Sequence, residues 1–212
     1  MKTRGIFISL EGIDGSGKTT LKEHLVTTMS SNYEIIGIRE PGGTSISEKI
    51  RDILLDIRNK GIMDKTEALL YAAARSQLVE EVIRPSLDQG KIIIADRFMD
   101  STIAYQGYGR GIDLQFLEDL NRLCTGGLKP DITFLLDINP EEGQRRRRND
   151  IPDRLEKEGI EFQNRIRDGY LKLWEKEPSR IKKLDGTHTI QELVLETYIH
   201  IRSMINKIKG GN

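Results

Sequence analysis

The chain has 212 residues, with 33 Lys or Arg balanced by 33 Asp or Glu, so its formal net charge is zero. That length suits one α/β domain able to bury a sizeable core, and the charge balance supplies no long-range basic field of the kind that draws a protein to nucleic acid or an acidic membrane. The single cysteine, Cys124, excludes an intramolecular disulfide and reads as a small buried apolar residue in a reducing compartment.

Short β-branched runs alternate with longer helical patterns, which predicts a parallel sheet with helices on both faces. Met1-Lys2-Thr3-Arg4 leads into a first strand, Ile6–Leu10, without the apolar core of a signal peptide. No apolar run approaches the ~18 residues of a membrane span. A cytoplasmic protein with neither nucleic acid nor membrane as partner is therefore expected. A glycine-rich turn, Gly12-Ile13-Asp14-Gly15-Ser16-Gly17-Lys18-Thr19, follows the strand directly, and a helix begins near Thr19. Leu21, Leu25 and Met29 recur every four residues along that helix and form one apolar stripe.

Further strands are expected at Glu34–Ile38, Ile92–Ala95, Ile132–Leu136 and Ile181–Leu184. The unalternating Ile92-Ile93-Ile94-Ala95 reads as a central strand covered on both sides. Helices are expected from near Ser45, Thr66, Asp113, Pro140, Gly159 and Ile190, with Pro140 as a first helical residue behind an Asn139 cap. Neither repeats nor an interdomain linker are visible, so residues 1–212 read as one domain. Lys209-Gly210-Gly211-Asn212 reads as a frayed tail.

The turn after the first strand matches G-x-x-x-x-G-K-[ST], and the strand before it and helix after it are the context that gives the pattern meaning. Its backbone N–H groups and the helix start can cradle phosphates. Lys18 can bridge the β- and γ-phosphates, and the Thr19 hydroxyl can ligate magnesium. Gly12, Ile13, Asp14, Gly15, Ser16, Gly17, Lys18, Thr19 and Thr20 are the candidate ATP-binding residues, in an α/β phosphate-loop (P-loop) NTPase-type three-layer fold with a five-stranded parallel sheet, helices on both faces and a mobile lid.

A phosphate loop alone fits switches, motors and kinases. Strand Ile92–Ala95 ends in Asp96-Arg97, which places a magnesium-holding carboxylate and a guanidinium in the crevice where ligands bind in open α/β sheets. Arg97 suits a phosphate monoester gripped through two parallel hydrogen bonds. The polar, glycine-rich stretch Asp96–Gly111 adds Ser101, Tyr105 as a flat wall and Gln106 as a reader of base edges. Tyr71 and Arg75 share one helix face, where a ring can stack on a base and an arginine bond its carbonyl; a core tyrosine beside a surface ion pair is the plainer alternative. The charge-dense Gln144–Glu158 carries Arg145, Arg146, Arg147 and Arg148 in succession, which on a helix cannot all face one ligand, and is expected to form a mobile phosphate-gripping lid.

With LEGIDGSGKTT, REPGGT (Arg39 to Thr44), the YAAAR helix ending at Arg75, DRFMDSTIAYQGYGRG, KPDITFLLDINPEEG and DRLEKEG in place, the chain resembles the thymidylate kinases nearly end to end. The resemblance implies transfer of a phosphoryl group from ATP with Mg2+ to dTMP, giving dTDP. It implies that Arg97 binds the acceptor monophosphate with Arg51 as helper, that Tyr71 stacks on thymine and that Arg75 bonds a thymine carbonyl. Ser101 and Gln106 would line the base and sugar pocket, Tyr105 would exclude a 2′-hydroxyl, and Asp14 would lie near the 3′-hydroxyl and the reacting phosphates. Where some members carry a loop arginine this chain has Gly15, which implies charge supplied from the lid by Arg146, Arg148 or Arg154. The family pattern also implies a homodimer. The alternatives are another nucleotide or deoxynucleoside kinase, or a GTP-dependent switch; the N-K-x-D guanine-reading motif of the last is missing.

Overall fold

The first strand, β1 (Ile6–Glu11), is buried along its whole length, as an unbroken apolar run requires. The computed structural model describes residues 4–149 and 153–210, with side chains described to 206. Around β1 the described residues form a five-stranded sheet in the order β2-β3-β1-β4-β5, adding β2 (Ile35–Arg39), β3 (Ile92–Asp96), β4 (Ile132–Asp137) and β5 (Ile181–Asp185). Every pairing is parallel. Strand bounds differ from the sequence expectation by no more than one residue at either end.

Side chains alternate across each strand, so β1 and β3 feed two separate cores. On one face Ile6, Ile8, Leu10, Ile92 and Ile94 meet Leu21, Leu25 and Met29 of α1 (Lys18–Met29) and Leu193, Ile201 and Ile205 of α9 (Ile190–Gly210). The three α1 residues are the stripe read from their spacing, each burial contributing roughly 1.5–3 kcal/mol. On the other face Phe7, Ile93 and Ala95 meet the end of α3 (Asp64–Leu78), the π-helical turn Val79–Ile83 and α4 (Arg84–Asp88). A third cluster joins Leu135 and Ile181 to Phe162, Ile166 and Tyr170 of α8 (Ile160–Lys176) and to Tyr105. Tyr105 lies in a π-helical stretch, Ile103–Gly109, which continues α5 (Met99–Thr102). Helices α2 (Ser45–Leu55), α6 (Leu114–Thr125) and α7 (Pro140–Arg146) complete the three layers.

Three local expectations are corrected. Helix α3 starts at Asp64, two residues before Thr66. Asn139 does occupy the position before α7, but its side chain caps nothing there; its Oδ1 accepts from Arg167 Nη1 at 2.5 Å instead. Helix α9 runs through Lys209 to Gly210, continuing the helix that Ile201 and Ile205 anchor to the core. Gly211 and Asn212 lie outside the described residues, as do Asp150, Ile151 and Pro152 of the expected lid. Cys124 is buried, as expected.

Candidate active site

The loop between β1 and α1 folds back on its own lysine. Lys18 is 6% exposed, and its Nζ donates to Ile13 O at 2.8 Å and Ser16 Oγ at 3.3 Å. Burial first, then the charge of Arg97, pulls the ammonium down to about 8, against the pull of Asp14, Asp96 and Glu11. The sheet register sets Asp96 beside Leu10, so the end of β3 faces the start of α1, and the Thr19 hydroxyl donates to Asp96 Oδ2 at 2.5 Å. These two hard oxygen donors at the loop mouth, a hydroxyl and a carboxylate, are of the kind that would suit a magnesium ion.

Arg97 has a backbone φ of 71°, a left-handed conformation that bulky residues rarely adopt. Its own N–H donates to Leu10 O at 2.9 Å, which holds the turn. The side chain reaches across the loop: Nη1 donates to Gly12 O at 2.9 Å and Tyr170 OH at 3.2 Å, while Nη2 donates to Tyr105 OH at 2.8 Å and to Asp14. The guanidinium also lies 4.8 Å from the Tyr105 ring centroid. Burial works against ionising Asp14, but Arg97, Lys18, Arg147 and the Tyr105 hydroxyl outweigh it and hold the carboxyl down at about 2. Asp14 is therefore a fixed anion between two cations. Gln163 Nε2 also donates to it, at 3.2 Å.

These groups open on one cleft of about 860 Å³, large enough for two nucleotides meeting at their phosphates. Of the residues expected from sequence it is lined by Asp14, Gly15, Ser16, Gly17, Lys18, Thr19, Thr20, Arg51, Tyr71, Arg75, Asp96, Arg97, Ser101, Tyr105 and Gln106. Ile13 does not line it; its side chain is 2% exposed in the core. Gly12 also lies behind the wall and contributes its carbonyl to Arg97. Tyr71 is half-buried, one turn from Arg75. Gln106 gives its amide N–H to the buried Glu67 at 2.9 Å, and Arg51 donates to Pro41 O at 2.8 Å.

Arg75 is not part of the surface ion pair that the plainer reading supposed. It is 2% exposed and makes four hydrogen bonds within the protein, from Nε to Glu40, from Nη1 to Thr102 and Asn121, and from Nη2 to Phe98 O, while Nη2 also lies 2.7 Å from Glu40 Oε2 in a buried ion pair. Any donation to a base carbonyl has to be shared with one of these.

The lid arginines differ in where they point. Arg148 is exposed and does not line the cleft. Arg154 turns away, donating to Glu67 at 2.6 Å and Leu54 O at 2.8 Å, because the fully buried Glu67 carboxylate draws in both Arg154 and Arg110. Arg145 pairs with Glu142 on the outside. Arg146 and Arg147 are the two that line the cleft. Arg146 donates to Gly186 O at 3.0 Å; Arg147 is paired with Glu156, and among the described residues its Nε is buried without an acceptor. Sequence reasoning passed over Arg147 because four adjacent arginines carry no signal that ranks them. It passed over Glu11, Glu67, Gln163 and Tyr170 because each matches an ordinary core or surface residue in its own stretch.

The absence of a loop arginine has a steric cause. A Cβ on Gly15 would lie 2.4 Å from Gly143 O, and a Cβ on Gly143 would lie 2.4 Å from Asp14 O. Helix α7 thus rests its backbone on the phosphate loop, where a side chain at position 15 has no room. Gly143→Ala should favour the helix by about 1 kcal/mol yet push the loop aside, and a roughly 10-fold rise in the KM for ATP is expected. Steady-state kinetics at saturating acceptor check this, and an unchanged KM would contradict the contact.

The family model described as "Thymidylate kinase" matches residues 10–196. A thymidylate kinase from Thermoanaerobacter sp. (strain X514) is 48% identical over 195 residues, 90% of this chain and 93% of that protein. One from Caldanaerobacter subterraneus subsp. tengcongensis is 46% identical over 212 residues, 98% of this chain and 99% of that protein. The crystal structure of thymidylate kinase from Ehrlichia chaffeensis superposes with a TM-score of 0.79 at 36% identity, covering 93% of this chain and 99% of that one. A phosphate loop facing a guanidinium in one cleft, on a fold and sequence matched almost end to end, leads to one family: the chain belongs to the thymidylate kinases, enzymes of the nucleoside monophosphate kinase class.

Proposed function

We propose that the protein transfers the γ-phosphoryl group of ATP to dTMP, giving ADP and dTDP. The observation that carries this reading is the placement of Arg97 and the phosphate loop on either side of Asp14 in a single cleft. The loop amides and Lys18 hold the donor phosphates. Arg97, assisted by Arg51, takes the acceptor monophosphate in place of its present contact with Asp14. Tyr71 covers the face of the thymine, Gln106 and Ser101 border it, and Tyr105 backs the deoxyribose where a 2′-hydroxyl would project. The adenine lies at the other end, between Arg146 and the turn carrying Gly186 and His188.

The attacking oxygen belongs to a phosphate that is already anionic near neutral pH, so the chain needs no strong general base. The obstacle is repulsion between two polyanions approaching in line. Lys18, Arg97 and a lid arginine neutralise it, and their fixed positions avoid reorganisation at the moment of transfer. Thr19 and Asp96 would hold magnesium, which would supply further charge neutralisation on the donor phosphates. Asp14, ionised throughout the working range, keeps Arg97 and Lys18 apart from solvent anions until substrates arrive. Arg147, beside Asp14 and the cleft, is the lid arginine that best suits the transferring group, in place of Arg148 and Arg154.

The same proposal includes one catalytic domain with residues about 144–158 as a lid, a cytoplasmic setting, and a homodimer. Exposed Ile46 and Ile53 on α2, Leu69 on α3, and Phe116 and Leu123 on α6 support the dimer, since α3 packs against both other helices. Among the described residues no helix is long and apolar enough to cross a membrane.

An acceptor panel tests the reaction. With ATP and magnesium, ADP formation should be fastest with dTMP and negligible with thymidine, which offers Arg97 nothing anionic. Hydrolysis of ATP that ignores every monophosphate would contradict the proposal.

A further inference from the structure

Glu11 closes β1, one residue before the phosphate loop, and its side chain has no exposed surface. A buried carboxylate usually pairs with a cation. Among the described residues Glu11 makes no ion pair. It accepts four hydrogen bonds instead: Ser9 Oγ at 2.9 Å and Phe98 N at 2.7 Å on Oε1, and Ser101 Oγ at 2.6 Å and Tyr170 OH at 2.9 Å on Oε2. Ser101 Oγ and Tyr170 OH lie 2.7 Å apart, and each also accepts from Arg97 Nη1, at 3.4 Å and 3.2 Å.

The direction of the hydroxyl protons matters here. Above about pH 7 Glu11 is chiefly an ionised carboxylate, which only accepts, so it is then the one member of this triangle without a proton to give. The two hydroxyl protons are therefore taken up by Glu11 and by the bond between Ser101 and Tyr170, which leaves lone pairs facing the guanidinium. Glu11 also pins the amide of Phe98, the residue that follows the left-handed backbone of Arg97. We infer that Glu11 is the positioning residue for Arg97, orienting the guanidinium towards the acceptor phosphate through the Ser101 and Tyr170 hydroxyls and the Phe98 amide.

The inference rests on the reading of Arg97 as the acceptor-phosphate ligand. A packing role alone would be served as well by an uncharged residue. Burial, followed by the nearby charge of Asp100, pushes the Glu11 carboxyl up to about 7 in spite of its donors, so the chain keeps a group that is costly to bury.

Glu11→Gln tests it at pH 8, where Glu11 is ionised. The amide keeps the shape but offers N–H groups, which turn the hydroxyl protons towards Arg97. The KM for dTMP should rise about 10-fold with the KM for ATP within about 2-fold, and the thermal midpoint should not fall. Tyr170→Phe should shift the same constant in the same direction, and Glu11→Gln added to Arg97→Ala should cost nothing more than Arg97→Ala alone. An unchanged dTMP KM in Glu11→Gln, or a lower midpoint with both KM values rising together, would overturn the inference. If Glu11→Gln does not fold, Tyr170→Phe decides by the same split. A weak Arg97→Ala beside a normal Glu11→Gln sinks the positioning role alone, whereas an Arg97→Ala enzyme with intact dTMP binding sinks the underlying reading and this inference with it.

Discussion

Arg97→Ala should raise the KM for dTMP by about 10²- to 10³-fold while the KM for ATP changes by less than about 3-fold. The lost interaction is a charge-assisted contact made in a water-poor cleft, where removing one partner typically costs about 3–4 kcal/mol. Arg97 is suited to that contact because its donors already converge on an anion: Nη2 holds Asp14, and the acceptor phosphate takes over that contact. The donor phosphates lie on the loop amides and Lys18, on the other side of Asp14. Steady-state kinetics with each nucleotide varied in turn separates the two constants. Equal losses for both would assign Arg97 to the architecture of the whole site rather than to the acceptor.

Arg147→Ala should lower kcat by about 10³-fold with little change in either KM, because an arginine that meets only the transferring group acts on the transition state and not on ground-state binding. Arg147 sits in the cleft wall, and its charge is close enough to help keep Asp14 ionised. Its partner Glu156 holds it in reserve, an ion pair that donor phosphates can displace. Arg148→Ala, by contrast, should stay within about 3-fold of the unaltered enzyme, since that side chain points to solvent. Single-turnover rates at saturating substrates compare the pair. The reverse ranking would return the role to Arg148 and imply a lid rearranged from the one described.

The sheet was legible because each strand carries its own signal. Ile92-Ile93-Ile94-Ala95 can only be a strand covered on both faces, and it lies between β2 and β1. The phosphate loop was equally legible, since glycine spacing, lysine and the flanking elements are all local in sequence. Arg75 was half legible. Its helix face was right, but its burial depends on Glu40, Thr102 and Asn121, which lie 35, 27 and 46 residues away. Glu11 was hidden for the same reason: its meaning comes from Ser101 and Tyr170, 90 and 159 residues distant. Arg154 looked like a phosphate ligand until the buried Glu67 claimed it, and Asn139 looked like a cap until Arg167 did. In each case a long-range polar partner outbid a local preference, and such partners leave no pattern in a neighbouring stretch of chain.

A crystal structure of the protein with dTMP tests most directly the idea that two phosphate tails meet in one cleft. The expected result is the monophosphate on the Arg97 guanidinium, facing the phosphate loop, with the thymine ring against Tyr71. A dTMP molecule seated away from the loop, or bound in that cleft with its phosphate turned from Arg97, would contradict it.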